Sequence, residues 1–146
     1  MTELPGGARL VRLGTFTDDR GTLHVAPHGD EDLPFPVERV FVITGVPAGG
    51  TRGEHASRTT HELLIATSGC VAVELDDGDA RATVVLDRPD VALHIPPLVW
   101  NVEVYGSGAV LTVLASNRFD PADHIEDHDE LRLLARSARS ARSAPG

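Results

Sequence analysis

The sequence has a single cysteine, no lysine and no long apolar run. Cys70 alone cannot form an internal disulfide, and such cysteine usage is typical of a protein from a reducing cytoplasm. No apolar run approaches the roughly 18 residues of a membrane span, and MTELPGGARL lacks the basic and then apolar layout of a signal peptide. All 13 basic residues are arginine, and the formal net charge of −9 argues against a nucleic-acid-binding surface. We therefore expect a cytoplasmic protein that binds neither nucleic acid nor membrane.

The 146 residues are instead rich in short β-prone segments. The segment VERVFVITGV at 37–46 is the strongest early strand, because it is dominated by β-branched residues. About ten such segments are separated by turn signals such as Asp77-Gly78. This pattern predicts one all-β domain over residues 1–131, built as an antiparallel sandwich or barrel.

Only the C-terminal part has helical character. Asp120-Pro121 has the pattern of a helix N-cap followed by proline, and the residues from Asp127 onward have helical composition. The chain then repeats Ala-Arg-Ser three times and ends in Pro-Gly. We expect a short C-terminal helix, with residues 132–146 as a disordered tail or a frayed helix. Cys70 follows a strand-like run and is expected to be a small buried side chain.

The stretch GGTRGEHASRTTHELLIATSG, from Gly49 to Gly69, resembles the first motif of the cupins. Metal-binding cupins place two histidines at positions i and i+2 of one strand, where both side chains leave the same face. Those positions are His55 and Ser57 here, and Glu62 stands at the carboxylate position. Asn101, in DVALHIPPLVWNVE, stands where a third histidine belongs. The resemblance therefore implies a cupin jelly roll that has lost two ligand positions and has no metal site.

Several further segments occur in a specific order over residues 19–131. They are Arg20-Gly21, RVFVI at 39–43, RGEHAS at 52–57, IPPLVW at 95–100 and FDPADHIEDHDEL at 119–131. In order and spacing the chain resembles the sugar 3,4-ketoisomerases, small cupins that act on dTDP-4-keto-6-deoxyglucose. The resemblance implies a homodimer formed by exchange of N-terminal strands, a dTDP-linked keto-sugar as the bound partner, and no metal or other cofactor.

The family pattern RGxHAH carries a pair of histidines taken as catalytic. His55 matches the first, whereas Ser57 replaces the second, and Phe41 and Val42 stand where the family has tyrosines. A histidine is suited to move the proton from C3, because its ordinary pKa lies near the working pH. Glu62 is either a general base with a raised pKa or a partner of a nearby arginine. The predicted catalytic residues are His55, Ser57 and Glu62.

The candidates for substrate binding follow from the chemistry of a nucleotide-linked sugar. A diphosphate favours arginine forks, and the candidates are Arg20, Arg39 and Arg52, each of which could equally form a solvated ion pair. Phe41 and Trp100 can offer an aromatic face to thymine or sugar, although core packing is the alternative for both. His94 either faces the cavity or is structural, and Asn101 completes the predicted set. The other histidines are expected away from the site: His61 on the face opposite Glu62, and His24, His28, His124 and His128 at the surface.

Three functions remain open at this point. The first is a ketoisomerase that moves the keto group of a nucleotide-linked 4-keto-6-deoxy-hexose from C4 to C3 through an enediol. The second is an epimerase or dehydratase that begins with the same deprotonation. The third is a non-catalytic cupin that binds sugar nucleotides. A metal-dependent dioxygenase is disfavoured, because one histidine and one carboxylate make a poor site.

Overall fold

The computed structural model describes residues 3–26 and 33–143 as twelve β-strands and one α-helix. The strands are β1 (Arg9–Arg12), β2 (Gly14–Asp18), β3 (Gly21–Val25), β4 (Arg39–Ile43), β5 (Thr51–Ser57), β6 (Glu62–Ser68), β7 (Val71–Asp76), β8 (Arg81–Leu86), β9 (Val91–Ile95), β10 (Trp100–Tyr105), β11 (Val110–Ala115) and β12 (His124–Ile125). The helix α1 spans His128–Ser143. His28, which the sequence predicts at the surface, is outside the described residues.

Two five-stranded antiparallel sheets form the body of the fold. The first has the strand order β1-β9-β6-β11-β4, and the second has the order β12-β5-β10-β7-β8. Strands that are distant in the chain therefore become neighbours, as in double-sheet jelly rolls. This confirms the predicted all-β class.

Alternation of side chains along each strand creates the core between the sheets. On β6, Leu64 and Ala66 point into the main core, whereas Leu63 and Ile65 pack on the outer face with Phe35. Inward side chains from the second sheet complete the main core: Val71, Val73, Leu75 and Tyr105 are all at most 1% exposed. At one end of the sandwich this alternation places polar side chains between the sheets.

The hairpin of β2 and β3 forms a separate two-stranded sheet. Leu23 on this hairpin is 60% exposed. At the edge of the first sheet, β4 likewise presents Val40 and Val42 outward, 58% and 55% exposed. The hairpin and β4 thus each present exposed apolar side chains.

The C-terminal helix is longer and better anchored than expected. Residues 132–143 continue α1 instead of forming a disordered tail or frayed end. The reason is that the Ala-Arg-Ser repeat has partners: Ala135 is 4% exposed, and Arg139 donates to Asp77 O at 3.0 Å and to Asp79 Oδ2 at 2.7 Å. Residues 144–146 lie outside the described part of the chain. Asp120 caps a short 3-10 turn at Pro121–Asp123, as its sequence pattern indicates.

Two smaller points complete the description. Cys70 is exposed rather than buried, because it lies in the turn after β6 and before Val71 begins β7. In the part of the chain that the structure describes, no helix is long and apolar enough to cross a membrane.

Helix α1 is fastened to the sheet through a small apolar cluster. Leu131 is completely buried and packs with Ala56 of β5 and Ile125 of β12. The cluster thereby ties the helix to the two strands that carry His55 and His124. The position of both histidines depends on this contact.

We expect Leu131→Ala to lower the free energy of unfolding by about 2–5 kcal/mol, the usual cost of truncating a fully buried leucine. Leu133, two residues along the same helix, is 68% exposed. Leu133→Ala should therefore change stability by only about 0.5 kcal/mol or less. Urea unfolding followed by circular dichroism compares the two variants. Equal losses would show that α1 is not held through Leu131.

Candidate active site

A cavity of about 260 Å³ opens between the two sheets. Its polar walls combine charges of both signs with imidazoles: Arg39, Arg52, His55, Glu62, Glu103 and His124. The remaining walls are mostly apolar, formed by Phe41, Ile43, Leu64, Val113 and Phe119. Titratable groups in a partly apolar cavity are the usual setting for acid–base chemistry.

His55 enters the cavity from β5. Its neighbour across the sheet is Asn101 of β10, whose amide Nδ2 donates to the backbone oxygen of His55 at 3.4 Å. Gly53, two residues earlier, has φ +90°, and a Cβ there would lie 2.4 Å from Oε2 of Glu103. A glycine at position 53 is therefore needed for β5 to pass this close to the buried carboxylate.

Two carboxyl groups share the cavity. Burial raises the pKa of Glu62, and the charge of Glu103 raises it further, while His55 and Arg39 lower it. Burial also raises the pKa of Glu103, which accepts a hydrogen bond from the Tyr105 hydroxyl at 2.9 Å. Each carboxyl is thus destabilised in its charged form by burial and stabilised by nearby positive charge.

Arg39 supplies a cation held by aromatic faces. Its guanidinium carbon lies 5.0 Å from the ring centre of Phe41 and 5.6 Å from that of Phe119. Among the described residues, its Nε is one of two buried side-chain nitrogens that have no hydrogen-bond partner. A positive group in the wall of a cavity is suited to an anionic or oxyanionic ligand.

His124 is the residue of the site that the sequence interpretation placed elsewhere. It was expected at the surface, but β12 pairs with β5, and the ring of His124 stacks on that of His55 with centroids 4.8 Å apart. Phe119 meets the same ring edge-on at 5.9 Å. Glu103 was also missed. Glu103 could have been predicted, because it lies two residues after Asn101 on β10 and its side chain therefore leaves the same face of the strand. Nothing in the local sequence connects His124 with His55.

The cavity thus brings together five of the predicted site residues: His55, Glu62, Arg39, Phe41 and Arg52. Ser57 is 9% exposed and lies opposite His124 on the neighbouring strand, outside the cavity wall. Asn101 is 3% exposed and supports His55 from the same face of the sheet. These two residues belong to the surroundings of the site.

Three other predicted residues lie away from the cavity. Trp100 is on the outer face of β10, edge-on to His128 at 5.1 Å, because alternation turns it away from Asn101. His94 pairs with Leu63 on the outer face of the first sheet, where its Nε2 lies 3.0 Å from Nδ1 of His61. Arg20 is in the exposed turn of the β2–β3 hairpin and binds Asp18 at 2.7 Å. His61 faces away from Glu62, as alternation predicts.

Two of the remaining histidines differ in their surroundings. His24 bonds to Thr15 on the exposed hairpin at 3.2 Å. His128 is not a free surface residue, because its Nε2 lies 2.8 Å from Oδ2 of Asp76. In the described ranges 3–26 and 33–143, no group of three or more His, Cys, Asp or Glu side chains is arranged to hold a metal ion.

The fold and the cavity together define a cupin with a pocket of acid–base residues between its sheets. The chain belongs to the FdtA family described as "WxcM-like, C-terminal", whose model matches residues 6–136. A curated relative from Aneurinibacillus thermoaerophilus, TDP-4-oxo-6-deoxy-alpha-D-glucose-3,4-oxoisomerase, is 32% identical over 85% of this chain and 89% of its own length. These matches confirm the resemblance to sugar 3,4-ketoisomerases.

Solved structures agree with this assignment. The sugar 3,4-ketoisomerase QdtA from Thermoanaerobacterium thermosaccharolyticum, in complex with TDP, is 33% identical, with a TM-score of 0.86 over 92% of this chain and 98% of QdtA. The TDP-quinovose 3,4-ketoisomerase WlaRB from Campylobacter jejuni is 32% identical, with a TM-score of 0.82 over 88% of this chain and 98% of WlaRB. Both similarities extend over nearly the whole of the solved chains.

The raised pKa of Glu62 predicts a pH-dependent stability. The pKa of this carboxyl is higher in the folded than in the unfolded chain. Its contribution to the free energy of unfolding is therefore fully present below the ordinary pKa of 4.5 and is lost as pH rises through the folded-state pKa. We therefore expect the stability of Glu62→Gln relative to the native chain to be greater at pH 8 than at pH 5. Urea unfolding at both pH values measures this difference.

Glu74→Gln is the matched control, because Glu74 is exposed on the outer face of β7. It should leave the pH dependence of the unfolding free energy as it is in the native chain. A Glu62→Gln curve that parallels the native curve between pH 5 and pH 8 would contradict the burial of a carboxylate at this site.

Proposed function

We propose that the protein is a TDP-sugar 3,4-ketoisomerase that converts TDP-4-keto-6-deoxyglucose to the 3-keto isomer. The observation that carries this proposal is the meeting of His55, Glu62 and Arg39 in one inter-sheet cavity. The relatives support the choice of substrate. QdtA is solved with TDP, and a QdtA variant is solved with TDP-4-keto-6-deoxyglucose. The single exposed cysteine is compatible with a cytoplasmic location.

The reaction is a pair of internal proton transfers. The ketone at C4 acidifies the hydrogen on C3, whose removal gives an enediol. Delivery of a proton to C4 leaves the carbonyl at C3. In total one proton moves from C3 to C4 and another moves from the C3 oxygen to the C4 oxygen, so that no oxidant or reductant is consumed.

His55 is the proposed carrier of the carbon-bound proton. A neutral imidazole accepts the C3 proton, and the resulting imidazolium can return a proton to C4. Glu62 is close enough for its charge and that of His55 to influence each other, so its carboxylate would stabilise the imidazolium. Arg39 lines the cavity, and its guanidinium charge would stabilise the oxyanion of the enediolate.

The substrate-binding roles follow the cavity walls. Phe41 offers an aromatic face beside Arg39, and Arg52 lies exposed at the cavity, where it can meet a phosphate oxygen. Asn101 would act indirectly, by fixing the backbone of His55. Ser57, Trp100, His94 and Arg20 have no contact with the cavity in the single chain, and we propose no direct substrate contact for them there.

We expect His55→Asn to reduce turnover by roughly 10²–10⁴-fold, the usual contribution of a positioned base. Binding of TDP, measured by calorimetry, should be preserved, because the substitution removes a proton acceptor and no phosphate contact. The assay is NMR of the sugar ring after incubation with TDP-4-keto-6-deoxyglucose in deuterated water. Native turnover that survives the substitution would remove His55 from the mechanism.

The same spectra separate the competing functions. A 3-keto product with deuterium at C4 identifies an isomerase. A 4-keto sugar with inverted C3 identifies an epimerase, and loss of water identifies a dehydratase. Tight TDP binding without exchange at C3 identifies a binding protein that has no catalytic activity.

We further propose that the protein is a homodimer built with the β2–β3 hairpin. An isolated two-stranded hairpin is only marginally stable in water, and exposed edge strands favour pairing. Leu23 of the hairpin and the pair Val40 and Val42 of β4 are more than half exposed. A hairpin from a second copy that lies along β4 would cover both apolar surfaces.

Light scattering should therefore give twice the chain mass of 15.5 kDa at micromolar concentration. Val42→Glu should shift the protein towards the monomer, because it places a charge in the proposed contact. The matched control is Val85→Glu on β8, an edge strand of the other sheet, where Val85 is 56% exposed. A monomeric native chain, or equal effects of the two variants, would refute this arrangement.

A further inference from the structure

The proposed isomerisation needs a second proton carrier besides His55. One carrier moves the carbon-bound proton, while the hydroxyl proton must pass from the C3 oxygen to the C4 oxygen. Position 57 holds a serine, whose hydroxyl is a poor base at neutral pH. Ser57 also lies outside the cavity wall. The chain therefore needs a different group for the second transfer, if the proposed function is right.

The sheet register brings such a group to the cavity. β12 lies antiparallel to β5, and the Cα partner of Ser57 in this pairing is His124. Side chains of directly opposed residues leave the same face of an antiparallel pair, with Cβ atoms about 4.5–5.5 Å apart. An imidazole from position 124 can therefore reach the space that one from position 57 would occupy.

The ring of His124 is held in that space by its neighbours. It stacks on His55 at 4.8 Å with an interplanar angle of 29°, and Phe119 meets it edge-on at 83°. The following residue, Ile125, is 1% exposed and anchors the strand beneath α1. Asp123, which precedes it, accepts hydrogen bonds from the backbone and the hydroxyl of Thr59 at 2.8 and 2.7 Å. Both flanking residues thus fix the backbone of His124.

The electrostatic surroundings favour the neutral ring. Burial lowers the pKa of His124, and positive charge on Arg39 or on a protonated His55 lowers it as well, whereas Asp123 and Glu126 raise it. The net direction is downward, so the imidazole is neutral at pH 7. A neutral imidazole has one nitrogen that accepts a proton and one that donates.

We propose that His124 is the second catalytic residue, taking the proton from the C3 hydroxyl and delivering a proton to the C4 oxygen, while His55 moves the proton from C3 to C4. The bonds that break are C3–H and O3–H, and those that form are C4–H and O4–H. Each histidine ends the cycle in the state in which it began. The two stacked rings line one cavity, so that each can reach one of the two adjacent reacting positions of the sugar.

The first test substitutes His124→Phe, which retains a flat ring for stacking and removes both nitrogens. In deuterated water, exchange of the C3 hydrogen should persist within about threefold of the native rate, because His55 still reaches it. Formation of the 3-keto product should fall by roughly 10²-fold or more, the loss expected for a missing proton carrier. A thermal melt checks that the variant is folded, and His124→Gln repeats the experiment with a polar side chain if it is not.

The second test exchanges the two opposed residues. Ser57→His combined with His124→Ser returns an imidazole to the same face from the neighbouring strand. We expect product formation at a tenth of the native rate or better, against a hundredth or less for His124→Ser alone. The matched control is His128→Phe, on the same C-terminal segment but outside the cavity, which should leave product formation unchanged.

The outcomes separate this inference from the proposed function. Native product formation in His124→Phe, alongside an inactive His55→Asn, would overturn the role of His124 and leave the isomerase intact. Equal loss of C3 exchange and product in folded His124→Phe would also overturn it, since the residue would then act on the carbon-bound proton. A native chain that shows neither exchange nor product would overturn the proposed function and this inference with it.

Discussion

The register of β5 between its two neighbours is the constraint on which the site depends. On one side His55 is opposite Asn101 of β10, and on the other Ser57 is opposite His124 of β12. A slip of one residue would turn every side chain of β5 to the opposite face and empty the cavity of His55. Gly53 contributes to this register, because any larger residue would collide with Glu103 and Asn101. Packing of Ile125 and Leu131 then holds the short β12 against β5.

The electrostatics of the cavity follow from that arrangement. Two carboxyls with raised pKa values, two arginines and two imidazoles share a space whose other walls are largely apolar. Charge burial is costly, and it is tolerated here because each carboxyl has positive charge nearby. Arg39 is the clearest case. Two aromatic faces stabilise its guanidinium while its Nε remains unpartnered, so that the binding energy of a ligand is not spent in breaking an internal ion pair.

The pair His61 and His94 shows that histidine contacts alone do not define a site. The two rings are stacked at 5.2 Å, and Phe35 lies 5.7 Å from each. Burial and the charge of His61 lower the pKa of His94 to about 4, so its ring is neutral at physiological pH. The pair is on the outer face of the first sheet, away from the carboxyls and the arginines of the cavity. It behaves as part of the packing between that sheet and the loop that carries Phe35.

The fold and four of the six polar residues of the cavity could be predicted from the sequence, for identifiable reasons. Strand composition, turn signals and the spacing between His55 and Glu62 are local features, and alternation then predicts that His61 points away from Glu62. The misplaced residues need information that is not local. His94 and Trp100 point outward because of which residues of β9 and β10, on either side of Pro96-Pro97, face the core. Local composition does not determine which set of alternating residues faces inward. The helical tail likewise depends on carboxylates of the β7–β8 turn some 60 residues away.

His124 lay beyond sequence reasoning because its contact with His55 exists only across the β5–β12 ladder. In a sheet, two positions opposed on neighbouring strands deliver their side chains to nearly the same point, so either can supply a required group. A motif defined along one strand does not include the residues that lie opposite it on the neighbouring strand. The loss of a motif histidine at position 57 therefore does not show that the cavity lacks a second imidazole. Whether a cupin retains its chemistry must be judged from the residues that share a sheet face, and on this face two imidazoles are stacked.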